Sequence, residues 1–116
     1  FRDGKLHHLK TNSSNVPIGI VPDSNPIVNS FQLRERDILL LLTDGLIEQP
    51  GVDGKEYSLG RVESAMGKNQ HESLERLHEY LNYDFTRFRK NKQVHDDVTY
   101  MLLRYIKSAA ESAPLE

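Results

Sequence analysis

Ile38-Leu39-Leu40-Leu41-Leu42-Thr43-Asp44-Gly45-Leu46-Ile47-Glu48 decides how the rest of the chain is read. Ile38 and the four leucines after it form an unbroken apolar run. It is too short to cross a membrane and dense enough for a strand buried on both faces. The run feeds directly into Asp44. A carboxylate at the end of a buried strand costs free energy unless it is solvated, hydrogen-bonded or bound to a cation. Gly45 behind it lets the backbone turn sharply and approach a ligand closely. An ordinary Asp-Gly turn with a solvated Asp44 accounts for the same residues.

Further along lies a second acidic segment, His95-Asp96-Asp97-Val98-Thr99-Tyr100, opening a closing strand over residues 98–106. Neighbouring side chains of a strand point to opposite faces, so only one of Asp96 and Asp97 can face a given ligand. Alone, the pair reads equally as a solvated strand start. Together the two segments say more, because each sets an aspartate at the end of a hydrophobic strand. If the strands are neighbours, hard oxygen donors converge on one rim. With no cysteine in the chain, oxygen ligation favours Mg²⁺ or Mn²⁺ over Zn²⁺. Such an ion lowers the pKa of its water and polarises a phosphoryl oxygen, chemistry that requires no nucleophilic side chain.

Around these segments the chain divides into strands, then helices, then a strand. Residues 12–29 hold three of the five prolines and read as loop, interrupted by the apolar stretch 16–20. Residues 27–33 partly alternate, and with a polar turn at 34–37 they predict a hairpin onto 38–43. Residues 49–55 are rich in turn formers, and a short helix is expected over 59–66. Asn69 and Glu72 stand at capping-box spacing before a longer helix. In that helix Leu74, Leu77, Leu81, Phe85 and Phe88 form one apolar stripe. The order argues for an α+β fold with a mainly antiparallel sheet. Asp3-Gly4 is a hairpin turn with almost nothing before it, so the sequence is expected to begin partway through a larger domain. Residues 107–116 read as a frayed tail, with Leu115-Glu116 as a vector-derived scar.

Composition narrows the function classes. A chain of 116 residues is one domain at most and can hide roughly two thirds of its unfolded surface. Fifteen Lys plus Arg against seventeen Asp plus Glu give a net charge of -2, which argues against binding nucleic acid by charge. Absent cysteine removes disulfides, thiolate nucleophiles and Cys-based metal sites. No signal peptide or membrane span is read, and a cytoplasmic location is expected. The basic cluster Arg87, Arg89, Lys90 and Lys92 reads as a complement to a helix C-terminus or as a docking patch. The five histidines form no metal box, although His95 could orient water beside the acidic pair. Ser13 and Ser14 have no visible base and do not support a serine nucleophile.

The two acidic segments, Thr43-Asp44-Gly45-Leu46-Ile47-Glu48 and Asp96-Asp97-Val98-Thr99, resemble the T-D-G-L-x-E and D-D-[IVM]-T signatures of PPM-type metal-dependent Ser/Thr phosphatases (protein phosphatase 2C-like), bacterial SpoIIE/RsbU branch. Pro17-Ile18-Gly19 resembles that branch's P-L-G segment. Asp53-Gly54 with Tyr57 and the residues to Val62 resembles its D-G-x-x-[FY]-G-x-x-[RL] region. The likeness spans residues 1–106 and corresponds to the C-terminal part of the domain, a mainly antiparallel β-sandwich flanked by helices. It implies Asp44 and Asp96 as metal ligands, with Gly45, Asp97, Thr43 and Thr99 in support. It further implies Mn²⁺ or Mg²⁺, two ions in the complete domain. The implied reaction is hydrolysis of phosphoserine or phosphothreonine by metal-activated water. The implied partners are a phosphoprotein such as an anti-sigma-factor antagonist and an upstream sensory or receiver domain.

Two departures accompany the resemblance. The family's other essential ligand, an Asp followed by Gly, belongs to a segment expected before Phe1, so this chain alone is expected to be inactive. Arg36-Asp37 stands where Gly-Asp is usual, which changes the turn but touches no ligand. A non-catalytic interaction domain that keeps the fold is the rival reading, and a generic α+β binding module with two ordinary acidic turns is another. Unpaired strand edges in a part-domain lead to an expectation of self-association, as a homodimer.

Overall fold

A computed structural model of the chain describes residues 1–9, 16–23 and 25–108. Ser13, Ser14 and residues 109–116 of the tail lie outside them. The elements run β1 (Ile38–Leu42), α1 (Asp44–Ile47), α2 (Ser58–Lys68), α3 (Leu74–Arg89) and β2 (Tyr100–Arg104). This is the α+β arrangement, with an antiparallel sheet and helices, compatible with part of a PPM phosphatase fold.

The apolar run pairs with the closing strand, not with the segment before it. β1 and β2 are antiparallel in the register Ile38↔Arg104, Leu40↔Leu102 and Leu42↔Tyr100. The hairpin expected between 27–33 and 38–43 does not form, and 27–33 takes no regular structure. What closes the chain onto β1 is a turn at residues 34–37. There the Asp37 N–H donates to the Arg34 carbonyl at 3.0 Å, while Arg36 N–H and Tyr105 N–H reach across to Tyr105 and Asp37 carbonyls at 2.8 and 2.9 Å.

Ile38, Leu40, Leu42, Tyr100 and Leu102 turn toward the helices and join a core of Leu46, Tyr57, Val62, Met66, Leu77, Leu81 and Phe85. The opposite sheet face carries Leu41 and Met101, each more than half exposed, beside Leu103. β1 is therefore covered on one face only among the described residues, and not on both as its density of leucine suggests. Burying the helix side chains is what fixes α2 and α3. Each fully hidden Leu is worth about 1.5–3 kcal/mol over an exposed one, more than the helix propensities supply.

Helix α3 buries the predicted stripe: Leu77, Leu81 and Phe85 are inside, and Leu74 and Phe88 lie at the edge. Its start differs from expectation. Ser73 is the cap, with its hydroxyl accepting the Arg76 N–H at 3.2 Å. Asn69 instead closes α2, its amide donating to the Ala65 carbonyl at 2.9 Å. Three contacts from two residues join the α2 end to α3: Tyr57 donates to Asp84 at 2.8 Å, Arg61 pairs with the same carboxylate at 3.0 Å, and the Arg61 guanidinium lies 4.8 Å from the Phe88 ring centre. Burial pushes the Tyr57 phenol far up, and Asp84 adds to the shift.

Asp37 is a second junction that the sequence gives no reason to expect. Its buried carboxylate accepts Arg2 Nε at 2.8 Å and Arg34 N–H at 2.7 Å, and pairs with a second Arg2 nitrogen. The Arg2 guanidinium holds this carboxyl well below the usual range against the opposing effect of burial. Arg2 is delivered by the Asp3-Gly4 turn, with φ of 51° and 79° at its two central residues, a type I′ geometry. Arg36 adopts φ of 70°, a conformation that favours glycine. The turn thus carries an arginine on a glycine-type backbone.

Candidate metal centre

Asp44 does not sit in a turn. It is the first residue of the four-residue helix α1, entered from an extended Thr43 (φ -88°, ψ 157°). An N-cap threonine normally turns its hydroxyl onto the helix; Thr43 makes no such bond. Its Oγ1 accepts the Thr99 N–H at 3.0 Å and lies 3.1 Å from the Asp97 carbonyl, to which it donates. The Thr43 N–H adds a bond to the Thr99 carbonyl at 2.9 Å. The two acidic segments, far apart in sequence, are laced together by Thr43 and Thr99.

Gly45 completes the contact. A Cβ built there would lie 2.2 Å from the Asp97 carbonyl oxygen and 2.9 Å from its carbon. Only a residue without a side chain lets α1 approach the 96–97 backbone this closely. Asp44 is therefore the neighbour of a glycine seated on the Asp96-Asp97 backbone. Asp96 Oδ1 accepts the Asp97 N–H at 2.7 Å, which fixes one carboxylate oxygen against the loop. Asp44, Asp96 and Asp97 are all exposed.

The donor set matches a hard divalent cation in kind, since it consists of carboxylates with no sulfur or imidazole committed to it. It is incomplete in number: among the described residues no group of three or more His, Cys, Asp or Glu is placed to hold a metal ion. His95 contributes its backbone, not its ring, to the local bonding. Its N–H donates to Gln49 Oε1 at 3.0 Å. Gln49 is the residue that sequence reading missed. It is fully buried, and its Nε2 donates to the carbonyls of Gln93 at 3.1 Å and Pro50 at 3.2 Å. Nothing in the periodicity marks it, because its role is set by a loop over forty positions away.

Two of the four cations of the basic cluster bond locally. Arg89 donates to the Lys92 carbonyl at 2.9 Å and Arg87 to the Tyr83 hydroxyl at 3.2 Å, as expected of cations at a helix C-terminus. Among the described residues, no helix is long and apolar enough to cross a membrane.

Comparison with known proteins identifies a family. Residues 1–106 match the family described as Stage II sporulation protein E (SpoIIE). The chain is 30% identical over 97 residues to Stage II sporulation protein E of Bacillus subtilis (strain 168), a match covering 83% of this chain and 11% of that protein. The chain thus spans about a ninth of the length of that relative. No solved structure matches it significantly.

Proposed function

This chain belongs to the Stage II sporulation protein E (SpoIIE) family, a phosphatase-related group, and from that membership we propose that it is part of a metal-dependent protein serine/threonine phosphatase. Asp44 and Asp96 are the ligands it contributes, toward Mn²⁺ or Mg²⁺. The observation that carries the reading is the seating of Gly45 on the Asp97 carbonyl, because it sets two acidic strand ends against one another at one rim.

In this reading each residue has a separate task. Asp44 and Asp96 offer carboxylate oxygens to the cation. Asp97 supports Asp96 through its backbone N–H. Thr43 and Thr99 hold the strand ends in register, and Gly45 supplies the clearance. A divalent ion held there supplies a low-pKa water and polarises a phosphoryl oxygen. Two carboxylates are a partial shell, so full activity takes further oxygen ligands. The substrate is a phosphoserine- or phosphothreonine-bearing regulatory protein, such as an anti-sigma-factor antagonist, and the setting is a cytoplasmic signalling protein with a sensory or receiver module.

The test is Mn²⁺-dependent hydrolysis of a phosphoserine peptide by a polypeptide joining this chain to the family's other ligand-bearing segment. Hydrolysis that falls at least a hundredfold in Asp44→Asn supports the reading. Mn²⁺ binding without hydrolysis by that polypeptide would favour a non-catalytic domain instead.

A further inference from the structure

Resting on the metal-site reading above, we propose that Gln49 is a positioning residue: its buried side-chain amide fixes the loop that carries Asp96 and so sets the cation affinity of the site.

Three observations converge on it. First, the amide is fully engaged. Oε1 accepts the His95 N–H at 3.0 Å, while Nε2 donates to Gln93 and Pro50 carbonyls at 3.1 and 3.2 Å. A buried amide uses its donors and acceptor or costs free energy for each one left idle. Second, the partners bracket the right place. Gln93 and His95 flank Val94 in the stretch between α3 and β2, and His95 immediately precedes Asp96. That stretch has no helix or strand of its own to hold it. Third, the other end is already pinned, because Thr43 binds the Asp97 carbonyl and the Thr99 N–H.

Thr43 caps the start of the short helix α1, whose first residue is Asp44, and Gln49 follows the residue that caps its end. The helix therefore acts as a staple. It grips the Asp96 loop on both sides and carries the other carboxylate between its grips. Gln49 is itself anchored, with its backbone carbonyl accepting the N–H of the buried Tyr57 at 2.9 Å. Removing the amide frees His95 N–H and the Gln93 carbonyl to seek water. The Asp96 backbone is then held from the Thr43 side alone. Groups that orient ligands without touching the metal typically change affinity by about 10–100-fold.

The test compares the full chain with Gln49→Met, which keeps the length and loses both hydrogen-bonding ends. Two quantities are read: hydrogen exchange at the His95 amide and Mn²⁺ affinity by titration. Leu81→Ala serves as control, since it removes buried core volume and leaves the Gln49 hydrogen bonds in place. The expected result is exchange at His95 at least about tenfold faster and Mn²⁺ binding about tenfold weaker in Gln49→Met, with Mn²⁺ affinity unchanged in Leu81→Ala. If Gln49→Met does not fold, Gln49→Asn carries the same test, because it keeps the amide but falls one methylene short of the loop.

Unchanged His95 exchange overturns the tether. Faster exchange with unchanged Mn²⁺ affinity overturns the positioning role, as does an equal loss of affinity in Leu81→Ala. The Mn²⁺ titrations use the polypeptide that joins this chain to the family's other ligand-bearing segment, and faster exchange with no Mn²⁺ binding by its unaltered form supports the tether and overturns the metal reading instead.

Discussion

Replacing Gly45 by alanine puts a methyl carbon where the Asp97 carbonyl already is. The added Cβ would lie 2.2 Å from that oxygen and 2.9 Å from its carbon, well inside ordinary contact. Both obstructing atoms are backbone, so no side-chain rotation relieves the clash. Either α1 or the 96–97 segment must move by about an ångström, a strain of the kind that costs about 1–3 kcal/mol. Alanine's better helix propensity returns at most about 1 kcal/mol, and less in a helix of four residues. The net expectation is a loss of about 1–2 kcal/mol. Gly60→Ala supplies the control. It also lies in a helix, but the nearest atom to its added Cβ is the Ser58 hydroxyl at 3.8 Å, so alanine there should stabilise by about 0.5–1 kcal/mol. Urea unfolding followed by circular dichroism should move the two midpoints in opposite directions, with Gly45→Ala lower by about 1 M. A Gly45→Ala midpoint at or above that of the unaltered chain would refute the close approach on which the site is built.

Other outcomes follow from the same geometry. Asp37 has a folded-state pKa held below its unfolded value by Arg2. Its contribution is therefore complete above about pH 5 and is lost as pH falls through the acid range. Urea midpoints between pH 6 and 2 should drop less steeply in Asp37→Asn than in the unaltered chain. Arg36 and Ser58 adopt φ of 70° and 69°. Arg36→Gly and Ser58→Gly should each stabilise by about 0.5 kcal/mol, the relief of a left-handed side chain less the extra freedom of the unfolded chain, as read from thermal midpoints. Thr43→Val removes the acceptor of the Thr99 N–H. It should cost about 1 kcal/mol and speed hydrogen exchange at Thr99 more than at Leu81.

The elements whose pattern is local were readable from the residues. Leu77, Leu81 and Phe85 announce α3 by spacing alone, and the Asp3-Gly4 and Asp53-Gly54 turns announce themselves by composition. The two acidic segments were legible as a pair because each follows or opens an apolar strand. What was not legible depends on partners distant in the chain. Nothing near Ile38 says that its partner strand is Tyr100–Arg104 and not the alternating stretch just before it. That choice rests on the turn at Arg36-Asp37 and on Arg2. The cap at Ser73 outcompeted Asn69 because Asn69 was already used to close α2. Gln49 was invisible for a related reason: a polar residue between Glu48 and Pro50 looks like surface until residues 93–95 fold over it.

The central claim is that the two acidic segments form one cation site. Its most direct measurement is paramagnetic broadening of amide signals during a Mn²⁺ titration of the chain, beside Asp44→Asn. Signals of residues 44–46 and 95–98 should broaden together with one midpoint, and Asp44→Asn should shift both groups to higher Mn²⁺. Broadening confined to one segment, or two midpoints that respond separately to Asp44→Asn, would contradict it.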